Sequence, residues 1–514
     1  MAAGFVGSGH ATRLAPLMAV CGLLLCVWAA GQEPTSRKAD DTPVLRSSTR
    51  LVVLDVVVSD AHNKPVRGLS GHDFKILEDG VEQKLASLDS PPNHALRAGS
   101  EREEAEFNSA STGTSIPARN ILVLDELNTE ILDNAYGRQS IEKFLRKHGP
   151  VLNQPTSLII VGQDKLEFAQ DYTRDATALT EAMKKHHAEL PFSKMNAGSE
   201  ESVRRLGKTL WVLDQIASAN LHYAGRKNVL WVGSGFPELT LDTIAFRDRE
   251  RFRAAIREIG GILFDARVAV YTINPEGLQV TPELFEDSFG DITEGELLFE
   301  GLAPQTGGKI VRFQNQLDEV IAETVEDGDS YYTLTYYPTN HNWDSKFRNL
   351  KVVVNGRELK VRARKGYYAT PSTPASGDEA DSAISDALVS PLPYRGLDVH
   401  AAVAATDASS GKYVLRVDSG ALSWQTLASG KRRCQVTAVT ATMGSGKQFS
   451  SHKVRELEAV IDEREFRKLS GKPVTFNFVA ELPKDTHFVK VVVRDPANGN
   501  IGSAEIADGE IKRN

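Results

Sequence analysis

The chain runs to 514 residues, too many for one hydrophobic core and enough for about three domains. Hydrophobic residues make up 41% and charged residues 25%, an ordinary globular balance that excludes a disordered chain and a multi-span membrane protein. With 60 Lys and Arg against 68 Asp and Glu, a net charge of −8 and no dense basic patch, nothing can displace counterions as nucleic-acid binding requires.

Arg13 precedes an apolar run over 17–28, and Ala29-Ala30-Gly31 supplies small residues before Gln32. Residues 1–31 therefore read as a secretory signal, with an uncleaved anchor as the alternative and the only expected route to membrane contact. The run is too short to span a bilayer. Cys21 and Cys26 lie inside it without the small preceding residue of a lipidation site. Cleavage leaves Cys434 alone, so no intrachain disulfide is expected, and a chain this large does not need one. Secretion, the periplasm or the cell surface of a bacterium is the expected location.

Residues 32–50 read as a linker and 51–90 as an N-terminal β module. Leu51, Val52, Val53, Leu54, Val56, Val57 and Val58 make one strand; 74–77 and 83–88 make others, separated by an Asp79-Gly80 hairpin signal. Residues 91–118, rich in Glu, Ser, Gly and Thr, lack hydrophobic periodicity and read as a second linker.

Over 119–326 strands alternate with helices, the pattern of a doubly wound parallel sheet. Strands are expected at 121–124, 158–161, 228–232, 267–273 and 309–312, with 166–169 antiparallel to its predecessor. Leu206, Leu210, Leu213 and Ala217 mark one helix face, Phe252, Ala255, Ile256 and Ile259 another, and Leu317, Val320, Ile321 and Thr324 a third. Strand patterns at 331–337, 350–354 and 359–365 make 327–370 a β extension packing on this domain. Residues 371–390 read as a linker, and 391–514, with strands at 413–417, 435–440, 474–479 and 488–493, as a C-terminal β-sandwich.

The strongest local signal is Ile121-Leu122-Val123-Leu124 running into Asp125-Glu126-Leu127-Asn128-Thr129. An all-apolar strand that ends in carboxylates and hydroxyls delivers them to the edge where open α/β sheets bind ligands. On residue type alone Asp125 and Asn128 also read as caps for the helix that follows. Gly307-Gly308, Gly233-Ser234-Gly235 and Gly444-Ser445-Gly446-Lys447 lack the full spacing of nucleotide loops and read as turns. His186-His187 has no Glu or Cys at ligand spacing and reads as solvated surface.

Taken in order, Arg67-Gly68-Leu69, Asp73-Phe74, Glu78-Asp79-Gly80, 122–129, 225–232, 270–275, Thr306-Gly307-Gly308, Tyr331-Tyr332 and Gly366-Tyr367-Tyr368 resemble a bacterial, acidobacterial-type von Willebrand factor A related family over 51–369. The resemblance implies an α/β, Rossmann-like doubly wound von Willebrand type A domain flanked by β-sandwich-like modules. It also implies a site for Mg²⁺ or another divalent cation, held by three loops and open to an acidic group of a partner. The family's Asp-x-Ser-x-Ser appears here with Leu127 and Thr129 in the second and third slots, and Gly233-Ser234-Gly235 lacks the usual carboxylate. Asp125, Thr129 and Ser234 are the expected metal ligands, Glu126 and Asn128 the expected partner contacts, and Ser199 and Ser202 the nearest matches to the middle-loop Thr.

No residues carry a catalytic motif: Gly-x-Ser-x-Gly and His-Glu-x-x-His are absent, and Cys434 follows Arg432-Arg433 in a strand pattern. The expected function is an exported, non-enzymatic protein-binding or adhesion module with a degenerate metal site. Its ligand is a protein or an extracellular or envelope component, not nucleic acid. A periplasmic or surface scaffold or assembly factor without metal is the alternative, and a periplasmic hydrolase comes third.

Overall fold

The structure is a computed structural model that describes residues 50–91, 117–187, 199–237, 246–276, 302–311, 316–355, 358–370, 376–407, 409–444, 449–469 and 472–512. The expected signal, almost all of both early linkers and the 445–448 turn lie outside these residues. The N-terminal strands are β1 (Val52–Ser59), β2 (Phe74–Glu78), β3 (Val81–Gln83) and β4 (Leu85–Asp89). The alternating region runs β5 (Arg119–Asp125), α1 (Ile131–Lys147), β6 (Val151–Val161), β7 (Leu166–Asp175), α2 (Ala176–Lys185), α3 (Ser199–Ala219), β8 (Lys227–Val232), α4 (Phe246–Asp265), β9 (Val268–Ile273), α5 (Leu302–Thr306), β10 (Ile310–Val311) and α6 (Leu317–Asp329). Then come β11 (Tyr331–Tyr336), β12 (Phe347–Val354), β13 (Lys360–Arg362), β14 (Gly366–Tyr368) and α7 (Asp378–Val389). The C-terminal part holds β15 (Val399–Ala405), β16 (Ser410–Asp418), β17 (Gln425–Thr426), β18 (Arg432–Met443), β19 (Phe449–Ile461), α8 (Glu463–Lys468), β20 (Pro473–Glu481), β21 (Phe488–Arg494) and β22 (Ile501–Ala507).

The chain is mixed α/β, with one mainly parallel sheet and several antiparallel ones. The central sheet runs β10-β9-β8-β5-β6-β7, parallel except for the β6/β7 pair. Every residue of β5 is buried, as the period-two geometry of a covered central strand requires. Ile121 and Val123 pack with Leu206, Leu213, Ile256 and Ile259 of α3 and α4. Leu122 and Leu124 pack on the other side with Ile141, Phe144, Leu179 and Ile321 of α1, α2 and α6. Helices therefore cover both faces. From β5 the chain moves outward through β6 and β7, then returns to β8 on β5's other side, so the order reverses between β5 and β8. Asp125 and Val232 end those two strands. Among the described residues no helix is long and apolar enough to cross a membrane.

The structure joins what the sequence pattern separates. β1 pairs with β11 and β13, and β2 with β12, so 51–90 and 327–370 form a single unit of two four-stranded sheets around one core. Short strands with one apolar face need such partners to be stable. Glu78 locks the unit from within: Arg348 Nη1 donates to it at 2.9 Å, Tyr336 Oη at 2.6 Å and Tyr367 Oη at 3.0 Å. Asp79 and Gly80 both take positive φ, 49° and 82°, as a two-residue hairpin turn requires.

The expected linker over 371–390 also differs, because α7 occupies most of it. Ala387 is buried there in the core shared with α3 and α4, with Ile384 and Leu388 packed against it. Beyond it, the sheet β15-β16-β20 and the sheet built on β18, β21 and β22 share one core, lined by Tyr413, Leu415, Phe476, Val436, Val489 and Val491. Val492, on the opposite face of β21, packs into the α3/α4 core. Cys434 is buried in the C-terminal core, which pushes its thiol up to about 11 and keeps it protonated.

Candidate functional site

Ligands in open α/β sheets bind outside the carboxyl ends of the strands, where the strand order reverses. Asp125 sits at that point, fully buried at the exit of β5. Its Oδ1 accepts from the backbone N–H of Leu127 and of Asn128, both at 3.0 Å. Its Oδ2 accepts from the Trp231 indole Nε1–H at 3.1 Å and the Gly235 N–H at 2.8 Å. One carboxylate thus closes the turn after β5 and ties it to the loop after β8. Burial dominates its titration and, despite these four bonds, pushes the carboxyl up to about 6. Asp125 does not cap the helix that follows, as residue type alone suggests: α1 begins only at Ile131, with no side-chain cap.

The β8 loop lies flat on this cluster. Thr129 Oγ1 accepts from the Ser234 N–H at 3.0 Å. Gly233 has φ 144°, and a Cβ there would fall 2.4 Å from Thr129 Oγ1 and 2.5 Å from Asp125 Cβ, so only glycine fits. Ser234 Oγ donates to Glu276 Oε1 at 3.4 Å. Asn128 Nδ2 donates to Thr209 Oγ1 at 2.9 Å and to the Gly235 carbonyl. Arg205, also buried, donates from Nη1 to the Leu127 carbonyl at 3.4 Å.

The structure brings Asp125, Thr129 and Ser234 together, but each is held by internal hydrogen bonds: Asp125 by four N–H donors, Thr129 by the Ser234 amide and Ser234 Oγ by Glu276. An octahedral cation such as Mg²⁺ needs oxygens with free lone pairs. The four acceptor positions of Asp125 are filled by N–H donors, Thr129 Oγ1 takes an amide, and Leu127 is buried in the apolar core. These residues do not fit the cation. Among the described residues no group of three His, Cys, Asp or Glu is placed to hold a metal.

Glu126 and Asn128, expected at a partner face, point inward and are buried. Glu126 Oε2 lies 3.1 Å from His186 Nε2, and His186 Nδ1 lies 3.0 Å from Glu167 Oε2, which pairs with Lys165 at 2.7 Å. The expectation that His186 is solvated surface is therefore overturned: its ring is enclosed between two carboxylates carried by β5's exit loop and β7. No local pattern signalled this, because Glu126 and Glu167 lie far from His186 in sequence. Thr209 and Arg205 were missed for the same reason, one helix face carrying both core and site residues. Ser202 is buried on α3 with no bond to Asp125, Thr129 or Ser234.

Among the described residues, the rim exposes apolar side chains as well as Asp164 and Lys165 of the loop after β6. Directly after Thr129 and Glu130, the first turn of α1 exposes Ile131 at 56% and Leu132 at 79%. Sequence reading passed over them because two adjacent apolar residues at a helix start look like core.

No family model matches the sequence, and no curated protein matches it. Among solved structures, the chain is similar to the SpRpn10 VWA domain at 14% identity, over 32% of this chain and 90% of that one, with a TM-score of 0.17. It is also similar to the pilus adhesin SpaC from Lactobacillus rhamnosus GG at 7% identity and a TM-score of 0.26, over 88% of this chain and 59% of the adhesin. Overlaps this loose add nothing to the strand order and the packing.

Proposed function

We propose that the chain is an exported, non-enzymatic protein-binding module of von Willebrand type A layout, whose carboxyl rim meets its partner without a bridging cation. The observation that carries this reading is the division of labour at the rim. The polar side chains expected to bind are consumed by internal hydrogen bonds, while Ile131 and Leu132 stand in solvent beside them. Exposed apolar side chains such as these suit the centre of a protein interface, where desolvation supplies the affinity. The scaffold alternative shares the metal-free rim and differs in placing contact on the helices or β units instead.

The test is capture of partners from an envelope extract of the source cells by the tagged mature chain, with and without EDTA, beside Leu132→Ser and Ile131→Ser. Capture that survives EDTA and is lost in Leu132→Ser supports the reading. Capture abolished by EDTA refutes it, and capture unaffected by either substitution moves the contact to another face, as the scaffold alternative requires.

A further inference from the structure

At the opposite, amino-terminal edge of the sheet, three arginines converge where the first β unit meets it. Arg226 precedes β8, Arg267 precedes β9, and Arg364 comes from the stretch between β13 and β14. With Asp55, Val53, Phe264, Val268 and Thr306 they line a partly open cavity of about 10 Å³. Among the described residues Asp55 is the only carboxylate lining it, and it is already committed. It takes Arg267 through both oxygens, Nε donating to Oδ2 at 3.2 Å and Nη2 to Oδ1, and accepts from Thr333 Oγ1 at 2.9 Å. Arg226 spends its donors on neutral groups: Asn228 Oδ1 at 2.9 Å, Tyr271 Oη at 3.2 Å and the Gly307 carbonyl at 3.4 Å.

Arg364 has no hydrogen bond among the described residues and lies only against the Phe264 ring, 4.3 Å from its centroid, while just 8% exposed. A guanidinium does not deprotonate in a protein, so Arg226 and Arg364 carry charges into a low-dielectric space whose described lining holds no second carboxylate. The next acid, Asp265, is paired with Arg50. Burial holds the Arg364 guanidinium down at about 10, against the pull of the Asp55 and Asp265 carboxylates.

We propose that this cage holds a small inorganic anion of halide size, seated against the Arg364 and Arg226 guanidiniums and joining the first β unit to the sheet. The cavity accommodates about one water-sized particle, which excludes tetrahedral oxyanions. A bound ion stabilises the folded state by mass action, so the effect is readable without knowing any partner.

The test is thermal unfolding of the mature chain in sodium chloride, bromide, gluconate and sulfate at equal ionic strength, with anomalous diffraction from bromide-grown crystals. The expected result is a saturable rise in Tm of about 2 °C with chloride or bromide over gluconate and sulfate, loss of that rise in Arg364→Gln, and a bromide peak inside the cage. Equal Tm in chloride and gluconate, or no peak in the cage, overturns the proposal in favour of a lone water. Both readouts on the unaltered chain remain decisive if Arg364→Gln does not fold.

Discussion

Asp125→Ala separates an internal tie from a metal ligand. The substitution strips the acceptor from four donors at once: the Leu127, Asn128 and Gly235 backbone amides and the Trp231 indole N–H. A buried donor left without a partner costs about 1–3 kcal/mol, so four give a range of about 4–12 kcal/mol before water enters the vacated space. With one water recovering part of this, a loss of about 4–6 kcal/mol is expected, a large share of a typical total of about 5–15 kcal/mol. Asp125→Asn keeps Oδ1 for Leu127 and Asn128 but turns an amide toward the Trp231 and Gly235 donors, costing about 2–6 kcal/mol. Urea unfolding at pH 7.5 in EDTA, followed by tryptophan fluorescence, measures both. The midpoints should fall in the order wild type, Asn, Ala. If Asp125→Ala unfolds with the wild-type midpoint in EDTA and differs only when a divalent ion is added, the carboxylate is a ligand and the reasoning fails.

Gly233→Ala should cost at least about 3 kcal/mol, because it combines a positive φ with a Cβ 2.4 Å from Thr129 Oγ1; a urea midpoint close to wild type would mean the β8 loop does not lie on Asp125. Arg348→Met leaves Glu78 buried without its cation and should destabilise the first β unit by about 3–5 kcal/mol, seen as an earlier unfolding transition, whereas a neutral effect would show that the Tyr336 and Tyr367 hydroxyls suffice. Burial, with Asp386 and Glu258 nearby, pushes the Asp214 carboxyl from 3.8 up to about 6. A raised folded value means its contribution is present below the unfolded value and lost as pH rises through the folded one. Asp214→Asn should therefore gain on the wild type in Tm between about pH 4 and pH 6 and hold a constant margin above, and an unchanged difference across that window would contradict the assignment.

The parts of the fold that were legible are those written in local period. Ile121 to Leu124 read as a central strand because four consecutive apolar residues suit a strand covered on both faces, and the alternation of elements gave the parallel sheet, while the strand order came from the structure. What stayed hidden depended on distant pairs. β1 finds β11 through Val52 and Tyr336, and nothing in either strand alone encodes that choice, so one two-sheet unit looked like two. α7 was obscured by acid and serine on its outer face, its few packing residues being alanines with Ile384 and Leu388. At the rim, Leu127 stands where the family pattern has a serine, and the structure buries it in the apolar core. The bonding of Asp125 was not readable, because two of its four donors come from Trp231 and Gly235, 106 and 110 residues away.

Isothermal titration of the EDTA-stripped mature chain with Mg²⁺, Mn²⁺ and Ca²⁺ addresses the rim most directly. Heats indistinguishable from dilution for each ion, in the wild type and in Asp125→Ala alike, are expected of a carboxylate already filled by four N–H donors. Saturable binding that disappears in Asp125→Ala would contradict it.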